Sequence, residues 1–188
     1  LRIVAETAAI HINDQGMATL SALCEFEGEA RKICPRSRLA AVVARSERAG
    51  YQVKCGFEYE FTLFRETSES LHDKHFREPH TLTRGNFGYS GLKASLHTAL
   101  FQGLITWCEQ HGIPLEALHT ENGPGMWEAA LAPADAMTSA DRAVMFKLLT
   151  KQYAAEHDLS ACFMAKWSMQ HQGQGGHIHL SLLDQAGQ

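Results

Sequence analysis

Two carboxylates stand close together in a stretch of sequence that otherwise has the composition of a core strand. The stretch CGFEYEFTLF, residues 55–64, is rich in aromatic and aliphatic residues, yet it contains Glu58 and Glu60. Side chains two positions apart in a strand point to the same face, so both carboxylates project to one side. Neighbouring like charges repel, and a buried carboxylate is costly without a partner. The pair therefore predicts a compensating positive charge.

Two further strand-like segments carry ionisable residues in a similar way. Glu121 and Glu128 flank the turn sequence NGPG, with His119 nearby, and His177 and His179 stand two apart in HIHLSLL. If these segments share one sheet, four carboxylates and an imidazole can converge on one face. Such oxygen-rich sites suit Mg²⁺ and Mn²⁺, and Mn²⁺ also tolerates a nitrogen ligand. Two such ions would neutralise the carboxylates and hold a phosphoryl group.

Each of these features also has an ordinary structural explanation when it is taken alone. A Glu-x-Glu pair in a strand and a Glu beside a hairpin turn usually face solvent. A His-x-His pair is often exposed on the surface, or is buried in the core with its hydrogen bonds satisfied. A glycine-rich loop such as HQGQGG is often only a turn. Their order and context along the chain favour a joint site.

The rest of the chain predicts an α+β fold. Apolar residues at helical spacing predict helices over about Arg38–Ala49, Gly91–Gln110 and Ser139–His157. Strands are predicted over Thr19–Phe26, preceded by a turn at 13–16, and over the segments YQVKCGFEYEFTLF, LEALHTE, MWEAALAP, ACFMAKWS and HIHLSLL. The polar stretch Glu66–Tyr89 is predicted to be a long surface loop. Hairpins with helices between them indicate a largely antiparallel, curved sheet with flanking helices.

Composition narrows the class of protein. The chain has 188 residues, 45% of them hydrophobic and 20% charged, with a net charge of -4 and no basic tract, so nucleic acid is not an expected partner. No apolar run is long enough to cross a membrane, so no membrane partner is expected. The five cysteines are scattered and form no CxxC pair, which indicates reduced thiols in a cytoplasmic protein rather than a zinc site.

The order of the motifs resembles the catalytic domain of glutamine synthetases. That family's pattern runs GxExEF, then E-x-G-P-G-Q-x-E, then K-P followed by a glycine loop and H-x-H-x-S. This chain has GFEYEF, ENGPGMWE and KWSMQHQGQGGHIHLS in the same order, and CPRSRL resembles the start of the family's catalytic domain. The resemblance implies that residues 1–188 are the N-terminal portion of such a domain, without the small N-terminal domain and the C-terminal part.

The resemblance also implies a set of metal ligands. Glu60, Glu121 and Glu128 match the ligands of a first metal, which serves the glutamate and ammonium side of the site. Glu58 and His177 match ligands of a second metal, which binds the nucleotide phosphates. The family uses Mg²⁺ or Mn²⁺ at these positions.

Other matched positions imply contacts with substrates. Glu116, His179 and Ser181 match positions that contact ATP, and Gly173 matches a backbone position that touches glutamate. Glycine suits that place because it permits a close backbone approach. The catalytic residues that complete the site are expected to lie outside this chain.

The implied activity is ATP-dependent ligation of ammonia or another amine to the γ-carboxylate of glutamate through γ-glutamyl phosphate. The family works as a homo-oligomeric ring in which a neighbouring subunit's N-terminal domain completes each site. The 188-residue piece is therefore expected to be inactive by itself.

Four departures from the family pattern leave the amine acceptor open, since divergent relatives join glutamate to other amines such as polyamines or alkylamines. Met126 replaces the Gln of GPGQxE, Trp167 replaces the Pro of Lys-Pro, and Gln172 and Gln174 change the usual Asn-Gly-Ser-Gly loop. Two other classes stay as alternatives: a non-catalytic scaffold relative, and a different enzyme, either a guanidino phosphotransferase on the related fold or a metal-dependent hydrolase. Retention of Glu or His at all five mapped ligand positions favours the ligase.

Overall fold

The computed structural model describes residues 1–12, 16, 18–86, 88–184, 186 and 187, with only the backbone of His11. The predicted turn at 13–16 falls for the most part outside these residues. The strands are β1 Arg2–Ile3, β2 Ala9–Ile12, β3 Ala18–Ser21, β4 Cys24–Glu25, β5 Gln52–Phe64, β6 Leu115–Thr120, β7 Met126–Leu131, β8 Ala134–Asp135, β9 Ser160–Cys162 and β10 Gly176–Leu183. The α-helices are α1 Pro35–Arg48, α2 Ser68–Asp73, α3 Gly91–Ser95, α4 Thr98–Gln110 and α5 Ala136–Glu156, and short 3₁₀ helices cover Ala5–Thr7 and Gly28–Ile33.

One long strand, β5, organises the main sheet. The path of this sheet is β10-β5-β7-β6, and β8 and β9 also pair with β5. Every one of these pairings is antiparallel. Because β10 and β7 both pair with Glu58 and Tyr59, they lie on opposite edges of β5. The predicted α+β fold, an antiparallel sheet with flanking helices, is confirmed.

The hydrophobic core covers the face of β5 that carries its alternating apolar residues. Phe61 of β5 lies opposite Trp127 of β7 in the register, and the two side chains are 0% and 1% exposed. Phe146 of α5 packs against Phe61 with their ring centroids 6.2 Å apart. Burying each such side chain stabilises the fold by about 1.5–3 kcal/mol. Strand alternation then directs Glu58 and Glu60 to the other face.

The predicted helix Gly91–Gln110 is wrong in its continuity, since α3 ends at Ser95 and α4 begins at Thr98. His97 has φ −124° and ψ 22°, outside the helical range. The Thr98 hydroxyl donates to the carbonyl of Ser95 at 2.9 Å and holds this corner. The apolar repeat runs through both helices, so periodicity alone does not reveal the break.

The predicted strand Thr19–Phe26 is also wrong as a single element. Its first half belongs to β3, which pairs with β2, and its second half is β4, which pairs with β1. Between them the carbonyl of Leu23 accepts a hydrogen bond from the Val4 amide at 2.9 Å. The strand is divided because its halves have different partners. The predicted strand ACFMAKWS, residues 161–168, is longer than the observed strand β9, which covers Ser160–Cys162. This strand pairs with only the last three residues of β5.

The predicted loop Glu66–Tyr89 contains the helix α2 and is anchored by one buried carboxylate. Glu66 is 3% exposed. It accepts hydrogen bonds from the Ser70 hydroxyl at 2.6 Å, from the His80 amide at 2.9 Å and from the Lys74 ammonium. The bond from Lys74, helped by those from Ser70 and His80, lowers the pKa of Glu66 to about 2. No helix among the described residues is long and apolar enough to cross a membrane.

Replacing this carboxylate by Glu66→Gln is expected to lower the thermal midpoint at pH 7 by about 5 °C, because charged hydrogen bonds are lost in a buried place. A depressed pKa stabilises the fold above the unfolded value and loses that effect as the pH falls toward about 2. The difference from the unmodified protein should therefore shrink between about pH 4.5 and pH 2 in calorimetry. Glu69→Gln, at an exposed position in α2, is the matched control and should change neither the midpoint nor its pH dependence.

Candidate metal and substrate site

Sheet register brings the predicted ligands to one face. Glu60 of β5 stands opposite Glu128 of β7, and Glu128 stands opposite His119 of β6. In a neighbouring row of the sheet, Glu58 stands opposite His177 of β10. Residues that are far apart in sequence are thus side by side because of the pairing of four strands.

One cluster gathers around Glu58. His177 Nδ1 and His179 Nε2 both lie 3.1 Å from Glu58 Oε2. His177 Nδ1 is also 3.7 Å from Glu128 Oε1. Hydrogen bonding to His179, together with that to His177, lowers the pKa of Glu58. One ligand atom from each of Glu58, Glu128 and His177 falls within 4.8 Å of the others, which is the spacing of a group that can hold a metal ion.

A second cluster shares Glu128 with the first. His119 lies between two carboxylates, with Nδ1 3.6 Å from Glu121 Oε1 and Nε2 3.6 Å from Glu128 Oε2. Ligand atoms of His119, Glu121 and Glu128 also lie within 4.8 Å of one another. Glu128 can therefore bridge two sites on the sheet face.

The electrostatics of Glu128 show that the face carries excess negative charge. Glu128 is 8% exposed. Burial raises the pKa of Glu128, and the neighbouring Glu60, Glu58 and Glu121 raise it further, whereas His119 acts in the opposite direction. The amino acids of the face leave this repulsion partly uncompensated, which is the condition that a bound cation would relieve.

The donor set fits a hard divalent cation. It consists of carboxylate oxygens and imidazole nitrogens, the ligands suited to Mg²⁺ or Mn²⁺. Glu121 Oε1 is buried and has no hydrogen-bond partner among the described residues. His119 Nδ1 lies 3.6 Å from this oxygen, beyond hydrogen-bond distance, so a bound ligand would lower the cost of burying it.

Glu60 is held differently from the other carboxylates. Its Oε2 accepts a hydrogen bond from the Gly175 amide at 2.7 Å, and its own amide donates to the Gly175 carbonyl at 3.1 Å. A Cβ on Gly175 would meet His177 Nε2 at 2.9 Å, so a side chain here would require the His177 imidazole to shift. The structure therefore joins Glu60 to the glycine loop, residues 172–176. The assignment of Glu60, Glu121 and Glu128 to one metal stays a prediction.

The residues predicted to contact ATP line one groove. Glu116, His179 and Ser181 border a cavity of about 590 Å³ that also reaches Glu58. The groove thus runs along the sheet to the first cluster. Gly173 lies apart from it, in an exposed part of the glycine loop where a Cβ would come within 2.9 Å of the Ala165 carbonyl.

Tyr89 is a site residue that sequence reasoning missed. Its ring stacks on His119 with the centroids 4.9 Å apart. Its amide donates to the Thr120 carbonyl at 2.8 Å, and the next amide, of Ser90, donates to the Thr120 hydroxyl at 2.8 Å. Tyr89 has a positive φ of 56°. A tyrosine at the end of a polar stretch gives no signal of this contact.

The geometry defines a site on an antiparallel sheet face that is lined by carboxylates and adjoins a groove. Comparison with known proteins identifies the family. The sequence model of the glutamine synthetase catalytic domain matches residues 32–188. The chain belongs to the glutamine synthetase family.

The relatives include proteins named as glutamine synthetase and as glutamate–isopropylamine ligase. The chain is 40% identical over 152 residues to type-1 glutamine synthetase 2 of Dictyostelium discoideum, covering 81% of this chain and 29% of the relative. It is 33% identical over 172 residues to a glutamate–isopropylamine ligase of a Pseudomonas species, covering 90% and 38%. Among solved structures, ligand-free GmaS superposes with a TM-score of 0.79 at 25% identity, covering 99% and 43%. The chain thus spans about a third of the length of these curated relatives.

Replacing the shared carboxylate by Glu128→Gln is expected to have opposite effects on stability and on metal binding. Without metal, the thermal midpoint should rise, because the repulsion among Glu128, Glu60 and Glu58 falls. Affinity for Mn²⁺, measured by titration calorimetry, should fall at least about tenfold. Glu109→Gln, at an exposed position in α4, is the control and should alter neither. A fall in stability without loss of Mn²⁺ affinity would show that Glu128 is structural.

Proposed function

We propose that the full-length polypeptide carrying this chain is an ATP-dependent ligase that joins an amine to the γ-carboxylate of glutamate. The observation that carries the proposal is the convergence of Glu58, Glu121 and Glu128 with two imidazoles beside a groove. This arrangement lies on a chain of the glutamine synthetase family. Relatives named as glutamine synthetase, glutamate–isopropylamine ligase and γ-glutamylethanolamide synthetase give further support.

The proposed reaction has two steps that make an unreactive acid reactive. An oxygen of the glutamate γ-carboxylate attacks the γ-phosphorus of ATP, so that ADP leaves and γ-glutamyl phosphate forms. The amine nitrogen then attacks the acyl carbon, inorganic phosphate leaves with the C–O electron pair, and the nitrogen loses a proton. The products are ADP, phosphate and a γ-glutamyl amide. A carboxylate is a poor acyl donor, which is why the reaction needs ATP.

The chain's own residues have distinct proposed roles. Glu60, Glu121 and Glu128 would hold one Mg²⁺ or Mn²⁺, and Glu58 and His177 would hold another. When bound, such ions neutralise phosphoryl oxygens and hold them in line for transfer. The buried oxygen of Glu121, which accepts no hydrogen bond, and the raised pKa of Glu128 support this assignment.

Substrate contacts are proposed for the groove and for the glycine loop. Glu116, His179 and Ser181 would contact ATP, which is supported by their position along one groove that reaches Glu58. Gly173 would contact glutamate through its backbone. A nucleotide in the groove would bring its phosphates toward the carboxylate face.

The amine acceptor is proposed to be ammonia or another amine. Relatives with both kinds of printed name match this chain at 31–40% identity. Met126, one of the departures from the family pattern, is 5% exposed and contributes to the buried side of β7 rather than to an open surface.

Residues 1–188 are proposed to be the N-terminal portion of a glutamine synthetase-like catalytic domain within a homo-oligomeric ring. The share of the relatives that the chain spans supports this. The remaining groups that hold glutamate and phosphate would come from other segments, including those of a neighbouring subunit. The 188-residue chain alone is accordingly expected to release no glutamate-dependent ADP in a coupled assay. Glutamate-dependent ADP release by this chain alone would contradict the expectation.

The ligase proposal is tested by following ADP release from the full-length polypeptide with Mg²⁺, glutamate and one amine at a time. Ammonia, methylamine, isopropylamine, ethanolamine, putrescine and spermine form the panel. We expect release that requires glutamate and is selective for one amine. Glu128→Gln should lower kcat/KM at least about a hundredfold, because the ion proposed to be held by Glu60, Glu121 and Glu128 would bind more weakly.

Glu109→Gln serves as the matched control and should retain full activity. ADP release without glutamate would indicate another carboxylate substrate or simple hydrolysis. Silence with every amine, while Mn²⁺ still binds, would favour the non-catalytic relative.

A further inference from the structure

The glycine loop is tied to the protein interior by one glutamine. Gln174 is 9% exposed, whereas Gln172 and Gly173 on its N-terminal side are exposed. Its side-chain amide nitrogen donates to the carbonyl of Met164 at 2.6 Å and to that of Cys162 at 3.2 Å. Its amide oxygen accepts from the hydroxyl of Thr62. Both donors and the acceptor of the side chain are therefore used.

Thr62, which donates to the Gln174 side chain, lies at a buried position in the main sheet. Thr62 lies in β5, is 0% exposed, and pairs with both Met126 of β7 and Cys162 of β9. The Gln174 side chain thus spans from the centre of the main sheet to the segment that follows β9. Only Gln matches this arrangement, because Glu lacks the two donors and Asn is shorter by one methylene.

Backbone contacts continue the same attachment into the candidate site. The backbone amide of Gln174 donates a hydrogen bond to the Ala165 carbonyl at 2.7 Å. The next amide, of Gly175, donates to Glu60 Oε2 at 2.7 Å. The position of Gln174 therefore determines where the glycine loop meets the Glu60 carboxylate, and where Gly173, directly before it, is presented.

The orientation of Gln174 separates it from a substrate-lining role. It occupies the position at which the family pattern has Ser, and its longer side chain is directed into the interior instead of toward the exposed side of the loop. The hydrogen bonds of its side chain go to Thr62, Cys162 and Met164, and none goes to Glu116 or Ser181, which are proposed to contact ATP. A change at Gln174 should affect the loop and leave the groove intact.

We propose that Gln174 is a positioning residue, which holds the glycine loop against Thr62 and β9 so that Gly173 and Glu60 are set for glutamate. This inference rests on the proposed function for the identity of the substrate. The anchoring itself rests only on the hydrogen bonds of the Gln174 side chain. Misplacing a substrate-binding group by about 1 Å can cost about a hundredfold in rate, so the effect should be large.

The test uses the full-length polypeptide with Gln174→Met, which keeps the length of the side chain and removes its hydrogen bonds. The KM for glutamate should rise at least about tenfold, while the KM for ATP stays within about twofold. In the metal- and substrate-free protein, amide hydrogen exchange over residues 166–175 should become at least about tenfold faster, with α5 unchanged. Gln170→Met, an exposed glutamine of the same segment, is the control and should change neither quantity.

A second variant, Thr62→Val, removes one of the three hydrogen bonds and keeps the shape of the threonine. Its effect on the KM for glutamate should be smaller than that of Gln174→Met. The double variant should be no worse than Gln174→Met alone, because both changes break the same attachment.

The outcomes separate this inference from the proposed function. If the unmodified enzyme shows no glutamate-dependent ADP release, the proposed function fails, and the exchange comparison still decides whether Gln174 anchors the loop. Equal rises in both KM values, or exchange in Gln174→Met that matches Gln170→Met, would overturn the positioning role. Restoration of the glutamate KM in Gln174→Asn would overturn the requirement for the full length of Gln.

Discussion

The candidate site depends on one unfavourable pairing, in which Glu60 and Glu128 stand directly opposite each other on β5 and β7. Like charges in this position destabilise a sheet, and burial adds to the cost. The next pair in the register is Phe61 with Trp127, and both side chains are almost fully buried. The two faces of one strand pair therefore have opposite effects. One face stabilises the fold through the core, and that stability allows the other face to hold carboxylates close together.

The long strand β5 connects the rest of the site to this pairing. Because β10 pairs with β5 residue by residue, His177 is placed beside Glu58. Glu60 forms hydrogen bonds with Gly175 through both its backbone amide and its carboxylate, and these bonds hold the glycine loop against β5. From the same strand, Thr62 anchors Gln174. Three alternate positions of one strand thus have three roles: Glu58 belongs to a metal-type cluster, Glu60 contacts the glycine loop, and Thr62 anchors that loop. A shift of register by one residue would break all three sets of contacts.

Much of the fold was predictable because its signals are local. The alternation in CGFEYEFTLF gave β5, the apolar repeats gave α1 and α5, and the NGPG turn gave the β6–β7 hairpin. The errors in the strands occurred where distant partners decide the structure. The strand predicted over Thr19–Phe26 is divided because β2 and β1 take different halves of it. The break between α3 and α4 at His97 is invisible in a repeat that continues through it.

The sequence by itself determined which side chains could do the chemistry and which of them share a strand face, because alternation depends only on neighbouring residues. Family motifs then suggested roles for Glu58, Glu121 and Glu128. Only the tertiary structure decided that His119 lies between Glu121 and Glu128, that Tyr89 stacks on His119, and that Gln174 turns inward. These facts follow from strand register and loop packing, which are set by contacts between residues far apart in the chain.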